Sequence, residues 1–455
     1  MRCKSRDVRR AVSFAVIAFF GNAACAQCTP GWIPMGQTGF SSFVMDAMEW
    51  DRDGPGPQEP VLCLAGLFAA SPAIHGIATW NGSTYSGIGT GISGGPGTCY
   101  TAAAMPNGDL VPAGSFPNAN GTPNTNGIAR WSGSWSALGV GMVSGSEVFC
   151  SAVLPDGRLV VGGNFNNMGG SMSQSLAVWN GSVWSPLGGL NNGPPPVERV
   201  DVYDLLVLPN GDLVIAGYFL YSGTTFVNHT LRYNGSAFVP MAPLLDDPGD
   251  WEVKGVNDLC LMPQGSGYEF AAAVSYQVQP NPFVTASVMA YNGSSWSGIG
   301  TPFGAQFNSA VNAVAALPNG DVIAGGSFTT PATKIARWSG GAWHPMGAGV
   351  DSSVQALHVR PNGELVVGGS FTHADGQLSR YWARWGGCPV CDGTDFNGDG
   401  LFPDTADIDD FLSVFSGGAC STGGCGDVDF NNDGLYPDTA DIDALLSVFS
   451  GGACL

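Results

Sequence analysis

Short apolar runs separated by glycine-rich turns cover most of this chain. In residues 311–347, an apolar run (311–317) leads into a Pro-Asn-Gly-Asp turn and a second run (321–328). A third run (334–338), another Gly-rich turn and a fourth run (343–347) complete the unit. Asn-Gly pairs permit positive φ and suit tight hairpin turns. The pattern therefore predicts four short strands per unit.

The unit recurs at intervals of about fifty residues. Seven units align, each with an apolar run that ends in Gly-Gly-x-Phe or a variant of it. The phenylalanine falls at Phe68, Phe116, Phe165, Phe219, Phe328 and Phe371, with Tyr276 in its place once. The aromatic residue that follows falls at Trp80, Trp131, Trp179, Tyr233, Tyr291, Trp338 and Trp385. Four strands per repeat at this period predict an all-β fold, a seven-bladed β-propeller of four-stranded blades over residues 27–387.

The two ends of the repeat array complement each other. The seventh unit stops at residue 387 without its fourth strand, whereas residues 32–36 (Trp-Ile-Pro-Met-Gly) match the missing piece. We expect this N-terminal strand to complete the last blade and close the ring, which removes two sheet edges. Cys28 and Cys388 would then share one hairpin connection, so we predict a Cys28–Cys388 disulfide, with Cys388–Cys391 as the rival pairing.

The Gly-Gly doublet, the following aromatic residue and the later Trp resemble kelch-type propeller repeats, including the galactose-oxidase-like group. The resemblance spans residues 30–387 and implies a fold far more than a function. The two aromatic residues are closer together here than in typical kelch repeats.

Two near-identical segments, 395–420 and 429–454, follow this array and differ at four positions. Each begins with oxygen-bearing side chains at loop positions 1, 3 and 5 and a Gly at the sharp turn, as a Ca²⁺ loop requires. The predicted ligands are Asp395, Asn397, Asp399, the Leu401 carbonyl and Asp407 in one loop, and Asp429, Asn431, Asp433, the Leu435 carbonyl and Asp441 in the other.

The closing ligand of each loop departs from the EF-hand pattern. Position 12, which is acidic in EF-type loops, holds Ala406 and Ala440. The Phe-Pro and Tyr-Pro pairs before it suggest a loop one residue longer, closed by Asp407 and Asp441.

A short amphipathic helix is predicted after each loop. Thr405 and Thr439 are candidate N-caps, and the apolar stripes are Ile408, Leu412 and Phe415, then Ile442, Leu446 and Phe449. The duplicated loop–helix unit resembles a dockerin domain, and its Gly-Gly-Ala-Cys ends resemble the GC-type variety.

This resemblance implies that residues 388–455 form an EF-hand-like module with two Ca²⁺ sites. It also implies that the module docks onto a partner, commonly a cohesin, or onto a cell-surface anchoring protein. The 34-residue offset between the segments pairs Cys391 with Cys420 and Cys425 with Cys454.

The N-terminus predicts export. A basic start, an apolar run at 11–20 and Ala24-Cys25-Ala26 read as a signal peptide over residues 1–26, and a lipoprotein interpretation centred on Cys25 is weaker. No later run approaches the ~18 apolar residues of a membrane helix. We therefore expect a secreted protein, extracellular or attached to the cell surface, without a membrane span.

The charge of the chain excludes some classes of partner, and its cysteine content bears on disulfide formation. The net charge is −20, and thirteen Asp lie in 392–454, where Lys and Arg are absent. Nucleic acid and anionic membranes are therefore poor partners. Twelve cysteines become ten after cleavage of the signal peptide, and an even number in an exported protein favours disulfides. The connectivity of Cys63, Cys99, Cys150 and Cys260 is left open.

No catalytic residues emerge from the sequence. The five histidines (His75, His229, His344, His358 and His373) lack metal-ligand spacing, and no hydrolase or oxidase motif is present. Asn-Gly-Ser recurs at Asn81, Asn180, Asn234 and Asn292, where hairpin geometry explains it better than glycosylation. The repeated Trp are expected to pack the blades.

The favoured hypothesis is a non-catalytic exported binding or surface protein, whose propeller presents a face to an unknown ligand or protein. The alternative is an extracellular polysaccharide hydrolase or oxidase.

Overall fold

The structure, a computed structural model, describes two parts of the chain. The first is residues 31–386, except 57, 59, 72–73, 93–96, 144, 194–198, 240, 245–250, 279–283 and 301–305. The second is residues 396–397, 405–422, 428, 430 and 439–449. The two parts belong to separate compact units.

The first unit consists of four-stranded antiparallel sheets, which we number 1 to 7 in chain order. Sheets 1 to 4 comprise Val44–Trp50, Val61–Ser71, Ile74–Trp80 and Tyr85–Gly87; Thr98–Ala104, Leu110–Ser115, Arg130–Trp131 and Trp135–Ser136; Glu147–Val153, Leu159–Asn164, Leu176–Trp179 and Trp184–Pro186; and Asp201–Val207, Leu213–Tyr218, Thr230–Tyr233 and Phe238–Val239. Sheets 5 to 7 comprise Trp251–Leu261, Phe270–Val278, Val284–Tyr291 and Trp296–Gly298; Val311–Ala316, Val322–Gly326, Ile335–Ser339 and Ala342–Pro345; and Val354–Val359, Leu365–Gly369, Trp382–Gly386 and Gly31–Pro34.

Seven two-residue strands lie in the connections between the main strands. They are Asn167–Met168, Ser171–Met172, Leu190–Asn191, Tyr221–Ser222, Thr225–Phe226, His373–Ala374 and Gln377–Leu378. They pair among themselves as two hairpins and one three-stranded sheet, and they extend no main sheet.

The repeated Pro-Asn-Gly-Asp turn joins the first two strands of a sheet and also holds the third. In sheet 4, Asn210 Oδ1 accepts the Asp212 amide at 3.1 Å, and Gly211 has φ +88°. The Asp212 carboxylate accepts Arg232 Nε from the third strand at 2.7 Å. The turn Asp therefore fixes both the hairpin and its neighbouring strand.

The Gly-Gly-x-Phe phrase reflects close approach between strands. A Cβ on Gly217 would overlap the carbonyl oxygen of Asp201 on the paired first strand, and Phe219 beyond it is fully buried. Glycines at the equivalent positions of five other sheets face the same obstruction: Gly66, Gly114, Gly163, Gly326 and Gly369. Only a residue without a Cβ fits there.

The N-terminal strand closes the sequence of sheets, as predicted. Gly31–Pro34 pairs antiparallel with Trp382–Gly386, and Trp32 lies opposite Trp385. One core cluster combines Val44 of sheet 1 with Trp382 of sheet 7. The first sheet thus packs on the last, and the unit is a closed ring.

The repeated Trp of the fourth strand links neighbouring sheets. Trp184 Nε1 donates to the Leu138 carbonyl of the preceding sheet at 2.9 Å, and Trp32 Nε1 donates to the Met346 carbonyl at 2.8 Å. The predicted packing role of these tryptophans is confirmed.

The Asn-Gly-Ser positions also behave as predicted. Asn81 Oδ1 accepts the amides of Ser83 at 3.1 Å and Thr84 at 2.8 Å, which caps the hairpin. Asn180, Asn234 and Asn292 make the same pair of bonds.

Cysteine usage in the sheets departs from the expectation of disulfides. Cys63, Cys99, Cys150 and Cys260 are free thiols, because each points into the packing between sheets. Burial raises the pKa of the Cys63 and Cys150 thiols, so they behave as apolar core groups. The predicted disulfides all involve residues outside the described part: Cys28, Cys388, Cys391, Cys425 and Cys454.

The tail unit contains two helices, α1 (Thr405–Phe415) and α2 (Thr439–Phe449). Phe396 and Phe411 of the first repeat pack with Phe430 and Leu445 of the second in one core. The predicted apolar stripe is partly wrong: Leu412 is 43% exposed and Leu446 46% exposed, because α1 turns Phe411 inward instead. In the described part of the chain, no helix has the length and apolarity needed to cross a membrane.

Candidate functional site

A cavity of about 440 Å³ lies where the first strands of all seven sheets converge. Each of these strands contains a β-bulge at the same register, for example between Val44 and Asp46 in sheet 1 and between Val354 and Ala356 in sheet 7. A bulge leaves one residue unpaired and re-aims its side chain. The bulge residues, which we call the bulge ring, all line the cavity: Met45, Tyr100, Phe149, Tyr203, Asn257, Asn312 and Gln355.

One side of the bulge ring is an aromatic arc. Tyr100 and Phe149 meet edge-on with ring centroids 5.6 Å apart, and Phe149 and Tyr203 are 6.0 Å apart. The Tyr100 hydroxyl donates to Glu147 at 3.5 Å and the Tyr203 hydroxyl to Asp201 at 3.3 Å. Burial raises the pKa of Tyr203 to about 12, so its hydroxyl keeps its proton.

The other side of the ring is an amide arc. Asn257 Nδ2 donates to Ser275 Oγ at 2.9 Å and to the Val311 carbonyl at 2.7 Å. Asn312 Nδ2 donates to Ser353 Oγ at 3.1 Å and to the Val354 carbonyl at 2.9 Å, both beside the first strand of the next sheet. Both N–H groups of each amide therefore bond to the protein wall.

Three carboxyl groups form a second layer, one residue after the bulge. Asp46 Oδ2 accepts the Ala102 amide of the next sheet at 3.1 Å. Asp204 Oδ2 accepts the Leu259 amide at 2.8 Å. Asp258 Oδ2 accepts the Val314 amide at 2.6 Å. Each carboxyl group thus joins two sheets as well as lining the cavity.

Asp204 and Asp258 share a proton. Burial raises the pKa of Asp204 to about 6, and burial together with the charge of Asp204 raises the pKa of Asp258 well above its usual range. The two carboxyl groups are hydrogen-bonded to each other. Asp258 therefore holds a proton more strongly than Asp204 does.

The five histidines do not converge on this cavity. His229 is buried and its Nε2 lies 3.1 Å from the Val253 carbonyl, whereas the exposed His373 pairs with Asp351 at 3.0 Å. His358 lies 3.7 Å from Glu49 at the seam of sheets 1 and 7. In the described ranges, no group of three or more His, Cys, Asp or Glu is arranged to hold a metal ion.

Most of the predicted calcium ligands lie outside the described residues: Asp395, Asp399, Leu401, Asp429, Asn431, Asp433 and Leu435. The structure places the other three. Asp407 and Asp441 are completely buried in the first turns of α1 and α2. Asn397 is buried as well, and its backbone N–H donates to Asp407 Oδ1 at 3.3 Å, so a loop residue and the suggested closing residue are in contact.

Comparison with known proteins gives a short family match and a wider structural likeness. Residues 154–173 match the model of a β-propeller domain of unknown function, DUF5122. The extracellular domain of the hybrid two-component system BT4673 from B. thetaiotaomicron is similar, with TM-score 0.51 and 13% identity over 82% of this chain and 41% of that chain. The sheets form a β-propeller.

A second structure of the BT4673 extracellular domain, described as a one-component system, gives TM-score 0.50 at 12% identity over 82% of this chain. This chain spans 42% of that relative, so the likeness concerns the propeller fold alone. The WD40 β-propeller domain of Doa1 gives TM-score 0.42 at 14% identity over 78% of this chain and 97% of that chain. Comparison with curated proteins gives no match.

The sequence interpretation missed the bulge ring and the carboxyl layer. The seven bulge residues share no residue type, and only the strand pairing shows which residue is extruded. One signal was available: each bulge residue stands between a small apolar residue and the position held by Asp46, Asp204 and Asp258 in three repeats.

Proposed function

We propose that this chain is an exported, non-catalytic binding protein. Its seven sheets are the blades of a seven-bladed propeller that presents the central cavity to a ligand. Its tail is a dockerin-like module that attaches the propeller to a partner in a calcium-dependent way. Residues 1–26, outside the described part, supply the export signal.

The carboxyl layer is the observation that carries a binding role over a catalytic one. Asp46, Asp204 and Asp258 each accept a backbone amide from the neighbouring blade. Carboxyl groups tied into the scaffold in this way hold the cavity open and rigid. A preformed cavity of about 440 Å³ with a few fixed polar groups has the dimensions of a small-molecule site.

Likeness to an extracellular domain supports a surface or sensor setting. The structurally similar BT4673 domain is extracellular by its description. The predicted signal peptide and the low density of Lys and Arg point to the same setting for this chain.

The tail residues that the structure places fit a calcium site. The side chains of Asn397 and Asp407 carry oxygen atoms, which a hard cation prefers, and the backbone N–H of Asn397 donates to Asp407 Oδ1 at 3.3 Å. Asp441 occupies the same buried position on α2 as Asp407 on α1. The exposed Leu412 and Leu446 are also equivalent in the two helices, so each helix offers an exposed leucine to a cohesin-like or cell-surface partner.

Calcium titration of the whole mature chain tests the attachment. We expect two binding events by calorimetry, with dissociation constants no weaker than ~10⁻³ M, the limit for extracellular modules. Asp407→Ala should remove one binding event. The double variant that also carries Asp441→Ala should remove both events. Asp409→Ala is the matched control, because Asp409 is on the same helix and exposed. Unchanged titrations in the double variant would refute the calcium assignment.

The proton-sharing pair favours a second candidate, a polysaccharide hydrolase. Titratable groups with perturbed pKa values in a cavity often mark catalytic sites. Release of reducing ends from extracellular polysaccharides, abolished by Asp204→Asn, would establish this candidate. Absence of turnover together with ligand binding supports the binding role.

A further inference from the structure

The polarity of the bulge ring points to a chemical class of ligand. We propose that the cavity binds an organic ammonium cation. This inference rests on the proposed binding function of the propeller and names the ligand of that same site.

Most N–H and O–H donors of the ring are used by the protein, and one N–H of Gln355 is left over. Both N–H groups of Asn257 and of Asn312 bond to the wall, and Gln355 Nε2 donates to Ser353 Oγ at 3.1 Å. The hydroxyl groups of Tyr100 and Tyr203 donate to carboxylates beside them. What the ring offers to a ligand is therefore a set of amide oxygens and aromatic faces, and both attract positive charge.

The aromatic arc supplies a wall for a bulky cation. Three rings on consecutive blades, Tyr100, Phe149 and Tyr203, stand at centroid distances of 5.6 and 6.0 Å along one side of the cavity. Aromatic faces attract alkylated ammonium groups through their quadrupoles, and this attraction strengthens where water is excluded.

The layer below the ring supplies the charge. Asp46, Asp204 and Asp258 lie one residue deeper, and each carboxyl oxygen has a second lone pair besides the one used by a backbone amide. No described residue that lines the cavity is Lys, Arg or His. An anionic ligand would be repelled by the ionised Asp204, whereas a cation is attracted to it.

Choline and its uncharged isostere 3,3-dimethylbutan-1-ol are the probes, titrated into the full mature chain by calorimetry. We expect choline to bind at least about tenfold more tightly than the alcohol, since one cation–π contact plus one carboxylate gives that difference. Binding should tighten as the pH rises from 5 to 7.5, because ionisation of Asp204, whose pKa is about 6, favours the cation. Added salt should weaken it.

Phe149→Ala is expected to weaken choline binding about tenfold. Phe226→Ala is the matched control, because Phe226 is 49% exposed on a peripheral hairpin and lines no part of the cavity. Both variants should retain the melting temperature of the wild type within a few degrees, which separates loss of the site from loss of the fold.

Three results would overturn the proposal. Equal affinities for choline and for the uncharged alcohol would show that the cavity does not recognise charge. If neither choline nor spermidine binds at millimolar concentration, organic ammonium cations are excluded as the ligand class. Binding of cellobiose that depends on Phe149, without binding of choline, assigns the cavity to saccharides. The calcium titration and the turnover assay test the proposed function separately, so these results refute the ligand class alone.

Discussion

Replacement of Asp258 by Asn tests where the proton of the carboxyl pair resides. In the structure Asp258 accepts the Val314 amide at 2.6 Å and is hydrogen-bonded to Asp204. An Asn side chain keeps an oxygen for Val314 and offers an N–H to Asp204, as a protonated Asp258 does. We therefore expect Asp258→Asn to be at least as stable as the wild type at pH 7.

The magnitude follows from the pKa shift. Burial raises the pKa of Asp204 from 3.8 to about 6, and one pKa unit corresponds to ~1.4 kcal/mol. A carboxyl group with a raised pKa stabilises the fold below its unfolded pKa, and this contribution is lost as the pH rises through the folded pKa. The free energy of unfolding of the wild type should thus fall by at most about 3 kcal/mol between pH ~4 and ~7.

Thermal unfolding between pH 5 and pH 8 measures this loss. In a unit of this size, the melting temperature changes by about 1–2 °C per kcal/mol of stability. The melting temperature of the wild type should therefore fall by a few degrees between pH 5 and pH 8. The melting temperature of Asp258→Asn should fall by a similar amount, because its Asn donates to Asp204 as a protonated Asp258 does.

Asp204→Asn is the contrasting variant. Asp204 accepts two backbone amides, from Leu205 at 2.8 Å and from Leu259 at 2.8 Å, and Asn has one oxygen for both. A buried amide without an acceptor costs about 1–3 kcal/mol. Equal destabilisation by Asp258→Asn and Asp204→Asn would refute the assignment of the proton to Asp258.

Two further predictions concern the repeats. Trp184→Phe removes the bond to the Leu138 carbonyl and should lower the free energy of unfolding in urea by about 1 kcal/mol. Trp343→Phe should lower it less, because Trp343 Nε1 has no hydrogen-bond partner among the residues that the structure describes. Equal losses in the two variants would show that the bond between blades contributes nothing. Gly217→Ala should destabilise by more than about 2 kcal/mol, because the new Cβ overlaps the Asp201 carbonyl oxygen. Gly189→Ala is its control, since nothing lies within 4 Å of that Cβ, and a tolerated Gly217→Ala would contradict the steric explanation.

In the tail, the local sequence pattern predicted the helices but not which of their side chains are buried. Helical periodicity located α1 and α2, and Thr405 and Thr439 begin them. It did not decide which flank is buried, because Phe411 and Leu412 are adjacent and both apolar. Packing between the two repeats turned Phe411 inward and left Leu412 exposed, and no single segment encodes that contact.

The sequence by itself determined the repeat, the strands, the turns and the closing strand. These features depend on residues that lie near one another in the chain, such as Asn210 with Asp212, or on a phrase that recurs in each unit. Tertiary structure alone decided the cavity. Its lining comes from residues about fifty positions apart, and β-bulges set by strand pairing choose which of them point inward. The free cysteines follow the same rule: an even count suggested disulfides, but the packing between sheets placed each thiol in an apolar core.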